Sequence, residues 1–307
     1  MRPNHHHFSA FAYVVREGSF SAAAARLGVT QSTITQHVAK LEQDVGTQLL
    51  VRGRNGVRVT RTGQEFYELA DKLVALDATI WEKLEGYASM KAGRIRVIAN
   101  APQPALRIIG RFNQLFPDVN IDFGLYDWTT ATGMIRNRLA DVGIITDAPL
   151  SEEWDRHVLQ STRYVAYLPA THVLATQDEV SLADLSAHTV ILPETGSLTQ
   201  RVVSAKAREL GLSFPRKVCM TTFPVMCEAV LQGIGVAIFL RNSSLIVDGI
   251  VESRISELDA EHRTFLVATR DRAQLRLIRE FTSAALSNMD PETECHDETS
   301  ISYHTSP

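Results

Sequence analysis

The sequence predicts a multi-domain chain: an all-α winged helix-turn-helix at the N-terminus, a long linker helix, and a two-lobed α/β module. Three observations predict it. Two short helical patterns between Gly18 and Gly46 are separated by a tight break at Gly28-Val29-Thr30. Apolar residues then recur every seven positions from Phe66 to Tyr87. Beyond Lys91-Ala92-Gly93, strand-like and helix-like runs alternate to about residue 290. With 307 residues, 45% apolar and 21% charged, the chain has material for more than one full-sized core. No apolar run approaches the roughly 18 residues of a membrane span. The N-terminus lacks a secretory pattern, and the three cysteines fit a reducing cytoplasm.

Charge is unevenly divided. Over residues 1–62, eight basic residues (Arg2, Arg16, Arg26, Lys40, Arg52, Arg54, Arg58, Arg61) face Glu17, Glu42 and Asp44. That segment is +5 in a chain of net charge −4, so the remainder carries −9. A basic head on an acidic body is the asymmetry of a DNA-binding domain joined to a different module.

In the head, Phe8, Phe11, Val14 and Val15 set a first helix that ends near Gly18. Ser21 is the expected N-cap of the second, where Ala22 to Ala25 favour helix, and Gly28 suits the left-handed residue that ends it. Thr30 caps the third, whose Ile34, Val38, Leu41 and Val45 form a buried stripe. Gln31, Ser32, Thr33, Thr35, Gln36 and Lys40 share its polar side. Side-chain amides pair with adenine in the major groove, and hydroxyls serve any base. Arg52-Gly53-Arg54-Asn55-Gly56-Val57-Arg58 reads as a hairpin turned at Asn-Gly, a wing whose Arg52, Arg54 and Arg58 reach the backbone or minor groove. These residues, with Ser21 and Thr30, are the candidate DNA contacts.

Thr62-Gly63-Gln64-Glu65 has the spacing of a capping box. The helix it opens runs to about Ala88, on the order of 40 Å. Phe66, Leu69, Leu73, Leu76, Ile80, Leu84 and Tyr87 form its heptad seam, which calls for an apolar partner: its own domain or a second helix.

In the C-terminal module, strands are expected at Ile95 to Ala99, Ile121 to Leu125, Val142 to Ile145, Tyr164 to Leu168, Val190 to Leu192, Val218 to Met220 and Val236 to Phe239. Helices at Pro104 to Phe116 and Thr130 to Leu139 lie between the first three, which implies a mostly parallel sheet. The chain returns to the first half at Thr264 to Ala268 and a helix from Leu275 to Leu286. Ligands of such sheets sit at strand carboxyl ends, where helix N-termini attract carboxylates or phosphonates. The candidate ligand residues are Asn100, Ala101, Pro102 and Gln103; Thr146 and Asp147; Thr195, Gly196 and Ser197; and Thr222 and Phe223. An anionic or zwitterionic small molecule is the expected occupant.

No G-x-S-x-G, P-loop, dinucleotide fingerprint or metal-ligand cluster appears, so no catalytic residue, metal or cofactor is assigned, and the chain is not expected to be an enzyme. His5-His6-His7 reads as an exposed run before the first helix. Cys219 and Cys227 read as small hydrophobes. The tail 291–307, with four acids and no Lys or Arg, reads as disordered.

Gly18-Ser19-Phe20, Ala23-Ala24, Leu27, Thr30-Gln31, Thr35, Leu41-Glu42 and Gly46 resemble, in order and spacing, the LysR-type transcriptional regulators. Asp141-Val142-Gly143-Ile144-Ile145 and Gly233-Ile234-Gly235-Val236-Ala237 fit that family's periplasmic-binding-protein-like effector domain. The chain departs from the family at Ser32 (usually proline), at Leu50 (commonly phenylalanine) and at Asn100–Gln103, where serine or threonine is common. The resemblance implies a DNA-binding domain over 1–61, a linker and dimerisation helix over 62–91, and an effector domain over 92–290. Lobe I would take about 92–163 and 264–290, and lobe II about 164–263. It further implies a homodimer or homotetramer on a pseudo-palindromic operator, a small-molecule effector, contact with RNA polymerase, no membrane partner and a cytoplasmic location. A peroxide-sensing branch of the family uses a cysteine pair, so a redox regulator built on Cys219 and Cys227 is one alternative. An architectural DNA binder with a vestigial effector domain is another.

Overall fold

The computed structural model describes residues 4–53, 56–84, 93–194, 196–220, 223–241, 243 and 248–287, with the side chains of 82–84 outside that description. Arg54, Tyr87, Thr195, Thr222, the side chain of Leu84 and the acidic tail therefore lie outside the described residues.

The head contains α1 (His5–Glu17), α2 (Phe20–Leu27), α3 (Gln31–Val45) and a hairpin of β1 (Leu50–Gly53) and β2 (Gly56–Val59). Its three helices close on Phe11, Val14, Ala23, Ile34, Val38 and Leu41, so the apolar stripe expected of α3 is the one that is buried. Gly28 ends α2 at φ +66°, a left-handed residue whose N–H bonds back into the helix; a side chain there would strain the turn. Two caps differ from expectation. Ser19, not Ser21, caps α2 by accepting from the Ala22 N–H, which leaves Ser21 exposed in the first turn. Thr60, not Thr62, starts the long helix. Its hydroxyl accepts from the Gly63 N–H and also lies against the Gln48 and Leu49 carbonyls, so β2 runs into the helix without a spacer. His5 to His7 form the first turn of α1 rather than preceding it.

The long helix α4 (Arg61–Leu84) spans 24 residues. The strands and helices that follow are β3 (Gly93–Ala99), α5 (Pro102–Leu115), β4 (Val119–Leu125), α6 (Trp128–Arg136), β5 (Val142–Thr146), β6 (Trp154–Thr162) and β7 (Tyr164–Pro169). Next come β8 (Glu179–Val180), α7 (Leu182–Ser186), β9 (Val190–Pro193), α8 (Leu198–Glu209), β10 (Lys217–Met220), α9 (Phe223–Leu231), β11 (Val236–Leu240) and β12 (Ile250–Ile255). The chain closes with β13 (His262–Thr269), α10 (Arg270–Ala273) and α11 (Arg276–Leu286).

Two sheets result. Lobe I has the order β4-β3-β5-β13-β6 and lobe II the order β10-β9-β11-β7-β12-β8. The chain crosses to lobe II at Arg163, between β6 and β7, and returns between β12 and β13. The sheets are mixed rather than mostly parallel. β13 runs antiparallel to both β5 and β6, and β7 antiparallel to both β11 and β12. A strand entering from the opposite lobe meets the βαβ strands head-on, and β6 and β12 were not foreseen. Each lobe has its own core: Ile95, Val97, Phe112, Ile144, Leu266 and Phe281 in lobe I, and Ala166, Leu168, Val190, Val203, Val236 and Ile238 in lobe II.

Candidate DNA interface and effector cleft

Helix α3 carries the polar row on its outer side. Gln31, Ser32 and Gln36 are exposed, while Thr33 and Thr35 are half-buried. Thr30 holds the entry: its Oγ1 accepts from the Thr33 N–H at 3.2 Å and lies 2.7 Å from Ser32 Oγ. A serine thus replaces the rigidity of proline with a hydroxyl contact to the cap. The Lys40 ammonium is tied along its own helix to Asp44 at 2.8 Å, which places it at the edge of the row. On the wing, the Arg52 guanidinium rests 4.2 Å from the Phe20 ring centroid, and Arg58 is exposed on β2. The Val57 N–H donates to the Gly18 carbonyl, fixing the wing against the turn between α1 and α2. Candidate base and phosphate contacts therefore lie on one rigid unit.

The histidines of α1 meet this surface. The rings of His6 and His7 lie 6.3 and 5.2 Å from that of His37 on α3. Burial, and then the charges of His7 and His6, hold His37 below its ordinary value. No metal-binding group of three His, Cys, Asp or Glu occurs among the described residues.

The two sides of α4 have different partners. Tyr67, Ala70, Asp71 and Ala75 are buried against the same chain. Leu69, Leu76, Ile80 and Trp81 are 67%, 57%, 48% and 57% exposed, and Leu73 is half-buried among them. Phe66, the first residue of the expected seam, packs partly on the head core. One face of the helix is thus engaged by its own chain, and the opposite face is exposed.

A cavity of about 320 Å³ opens between the lobes. Of the expected ligand residues, Asn100, Pro102, Ser197 and Phe223 line it. Others serve the frame. Ala101 is buried as the α5 N-cap, and the Gln103 N–H donates to the Ser243 carbonyl of lobe II at 3.1 Å. The Thr146 Oγ1 is 2.8 Å from Thr264 Oγ1, and Asp147 pairs with His262 and accepts from the Arg263 N–H. Gly196 takes a left-handed turn (φ +99°) before α8. The reading missed Leu125, Tyr126, Asp127 and Trp128 at the end of β4, and Pro193, Glu194, Met226, Phe239 and Leu240 in lobe II. The signal was present: an apolar-aromatic run interrupted by an aspartate, directly between a strand and a helix. Tyr126 folds back over Gly124, where an added Cβ would lie 2.4 Å from its ring.

Two matches cover the chain in sequence. Residues 5–64 match the bacterial regulatory helix-turn-helix protein, lysR family, and residues 88–290 match the LysR substrate binding domain. The chain belongs to the LysR family of transcriptional regulators. It is 32% identical over 238 residues to the probable HTH-type transcriptional regulator LrrA of Synechococcus elongatus, covering 75% of this chain and 78% of that one. It is 26% identical over 259 residues to the HTH-type transcriptional activator CmpR of a Synechocystis species, covering 83% and 84%. Its fold matches full-length OxyR of Pseudomonas aeruginosa, a cysteine-to-aspartate variant, with a TM-score of 0.78 at 17% identity, over 93% of this chain and 95% of that one. The molecule is a LysR-type regulator with an effector-binding domain, and not an enzyme. No described helix is long and apolar enough to cross a membrane.

In this LysR regulator a buried ionic cluster joins the reading head to lobe I. Asp71 of α4, 1% exposed, accepts from Arg272 Nη2 at 2.7 and 2.8 Å and from Arg138 Nη1 at 3.0 Å. Arg272 also donates to Asp141 at 3.0 Å, and Arg16 of α1 pairs with the same carboxylate at 2.5 Å. Arg138 makes a two-pronged pair with Asp271 at 2.7 and 2.8 Å. It holds a left-handed backbone (φ +58°), and its carbonyl accepts from Tyr67 and Arg272. Burial alone would lift the Asp141 carboxyl, but Arg16 and Arg272 outweigh it and hold the group below its usual range. No periodicity announces this cluster: its members are scattered over three helices and one connection.

The redox alternative is not favoured. Cys219 is exposed on β10 and Cys227 is buried in α9; both are free thiols. Burial, and then Glu252, pushes the Cys227 thiol up to about 11, away from the reactive thiolate.

Proposed function

We propose that the chain acts as a homodimer or homotetramer on a pseudo-palindromic operator, in the cytoplasmic compartment that holds the DNA. Its domains would divide near residues 61 and 91. Gln31, Ser32, Thr35 and Gln36 would read base edges, with Thr33 and Lys40 beside them. Arg52, Arg54 and Arg58 would grip the flanking backbone. The exposed face of α4, from Leu69 to Ile80, would pair two heads, and an effector between the lobes would change their placement, acting on RNA polymerase bound nearby. The observation that supports this reading is the exposed amide and hydroxyl row of α3 beside an arginine-bearing wing, on a head that is +5 while the rest of the chain is −9. Major-groove readers bear this arrangement.

The test is protection of DNA upstream of the chain's own gene or its neighbours by the full-length protein, with two variants. Gln36→Ala should cost about 1–3 kcal/mol at one base position and relax specificity there. Arg58→Ala should weaken all sequences alike and lower the salt slope by about 1. Equal affinity of the parent protein for operator and random DNA would favour the architectural reading instead.

A further inference from the structure

The chemistry of the cleft differs from that expected of an anion site. Helix α5 begins Pro102-Gln103-Pro104, so two of its first three residues have no N–H, and that of Gln103 is committed to Ser243. The start of α6 is capped from within: the Asp127 carboxylate accepts from the Thr129 and Thr130 N–H groups at 2.9 and 3.1 Å and from the Thr130 hydroxyl. Ser197 caps α8 by accepting from the Gln200 N–H, and α9 opens Phe223-Pro224, whose proline has no N–H. At α5 and α6 the donors that make helix N-termini attract carboxylates are thus largely missing or already used, and at α8 the cap takes the Gln200 N–H.

The charges run the same way. Asp127 and Glu194 both line the cavity, one from each lobe, and no Lys or Arg lines it among the described residues. No hydrogen bond or ion pair engages the Glu194 side chain among the described residues. Arg201 is the adjacent cation, and its guanidinium is stacked 4.3 Å from the Trp128 ring centroid as a clasp between the lobes. Asn100, Ser197 and Thr199 add uncharged polar groups, and the rest of the wall is apolar and aromatic. Phe223 and Phe239 stack at 4.7 Å, and Tyr126 and Met226 lie beside them in the lining.

Resting on the reading of this cleft as the effector site, we propose that the effector is an organic cation. It is a protonated amine or quaternary ammonium on an apolar body, with its charge shared by Asp127 and Glu194 and its body held by Tyr126, Phe223, Met226 and Phe239. A carboxylate would bring a third negative charge into a space lined by two carboxylates and, among the described residues, by no Lys or Arg. An ammonium meets two carboxylates and aromatic faces that favour positive charge.

The experiment is calorimetric titration of the full-length protein with matched ligands that differ only in charge: 2-phenylethylamine, 2-phenylethanol and phenylacetate, then the same triplet on cyclohexyl and butyl bodies. The expected result is that, on at least one body, the amine binds roughly tenfold or more tightly than its acid and its alcohol, the scale of one charge-assisted hydrogen bond. Glu194→Gln, at the cleft wall, should remove most of that preference. Acid binding as well as amine, alcohol binding as well as amine, an undiminished preference in the variant, or no binding by any amine each overturns the proposal. Footprinting the same preparation separates the two readings. An intact footprint with acid preference rejects the cation alone, whereas loss of operator binding rejects the regulatory reading and leaves the charge preference measurable.

Discussion

Replacing Asp71 by asparagine should release the reading head from lobe I without unfolding either. The side chain accepts three charge-assisted hydrogen bonds from Arg272 and Arg138, both nearly inaccessible to water. Asparagine keeps the shape but removes the charge and turns an NH₂ toward guanidinium donors. Removing one partner of a buried pair costs about 3–5 kcal/mol, because the remaining charge stays buried. Here Arg272 keeps Asp141 and two backbone carbonyls, and Arg138 keeps Asp271, so the cost falls near the lower end, about 3 kcal/mol. Hydrogen exchange is the assay, since a chain of several domains need not melt as one unit. Amides of α1 and of 138–141 should exchange about 100-fold faster, while those of β9 and β11 keep their rates. Adding Arg272→Gln to Asp71→Asn should restore part of the loss through pair coupling. Unchanged protection at α1 would refute the view that this cluster holds the head.

Two further outcomes follow from the exposed α4 face and from His37. Leu69→Ser with Leu76→Ser should break the proposed pairing and lower the mass in light scattering while leaving the helical circular-dichroism signal in place, because both side chains are exposed in the single chain; an unchanged mass would place the pairing surface elsewhere. His37 has a folded value below its unfolded value near 6.5, so the folded head binds fewer protons than the unfolded one. Its contribution is complete above about pH 6.5 and is lost as pH falls through the lowered value, so the head should be less stable in urea at pH 5.5 than at pH 7.5, and His37→Gln should flatten that dependence. Equal slopes for parent and variant would remove His37 from the account.

The parts legible in sequence are those fixed by local rules. The α3 stripe of Ile34, Val38 and Leu41 and the Gly18, Gly28 and Gly46 stops follow from helix period and from left-handed backbone, both properties of neighbouring residues. Less legible were features set by what arrives from far away. The caps expected at Ser21 and Thr62 lie at Ser19 and Thr60, because packing decides where each helix enters. Strand β6 escaped notice because its nine residues are mostly half-buried, so no clean alternation marks them. Most of the cleft lining was missed for a related reason. Candidate loops were chosen for turn residues, whereas Leu125, Tyr126 and Trp128 look like core until the strand ends beneath them. Asp71 shows the limit most plainly: in a heptad it is a polar residue on a helix, and only Arg272, two hundred residues onward, makes it the centre of an interface.

The route from cleft to head is constrained by where the contacts end. The hydrogen bonds and ion pairs that leave α1 and α4 for the effector domain land on lobe I: Arg94, Arg96, Arg138, Asp141, Glu153 and Arg272. Closing lobe II on a ligand as a rigid body would therefore leave head and lobe I moving together. Two paths remain. One is β13, which begins beside the cleft at His262 and Thr264, bound to Asp147 and Thr146, and ends where α10 presents Arg272 to Asp71. Its eight residues cover about 26 Å, and strain along them would reach the ionic cluster within one chain. The other path runs through a second copy touched by lobe II. Linkage distinguishes them, because coupling between two sites is reciprocal. If β13 carries the signal, loosening the cluster with Asp71→Asn must change ligand affinity even when Leu69→Ser and Leu76→Ser have made the protein monomeric. If the second copy carries it, the same substitution leaves the monomer's ligand affinity untouched. The position of Arg272, three residues past the end of β13, the lobe I strand that closes the crossover, favours the first path.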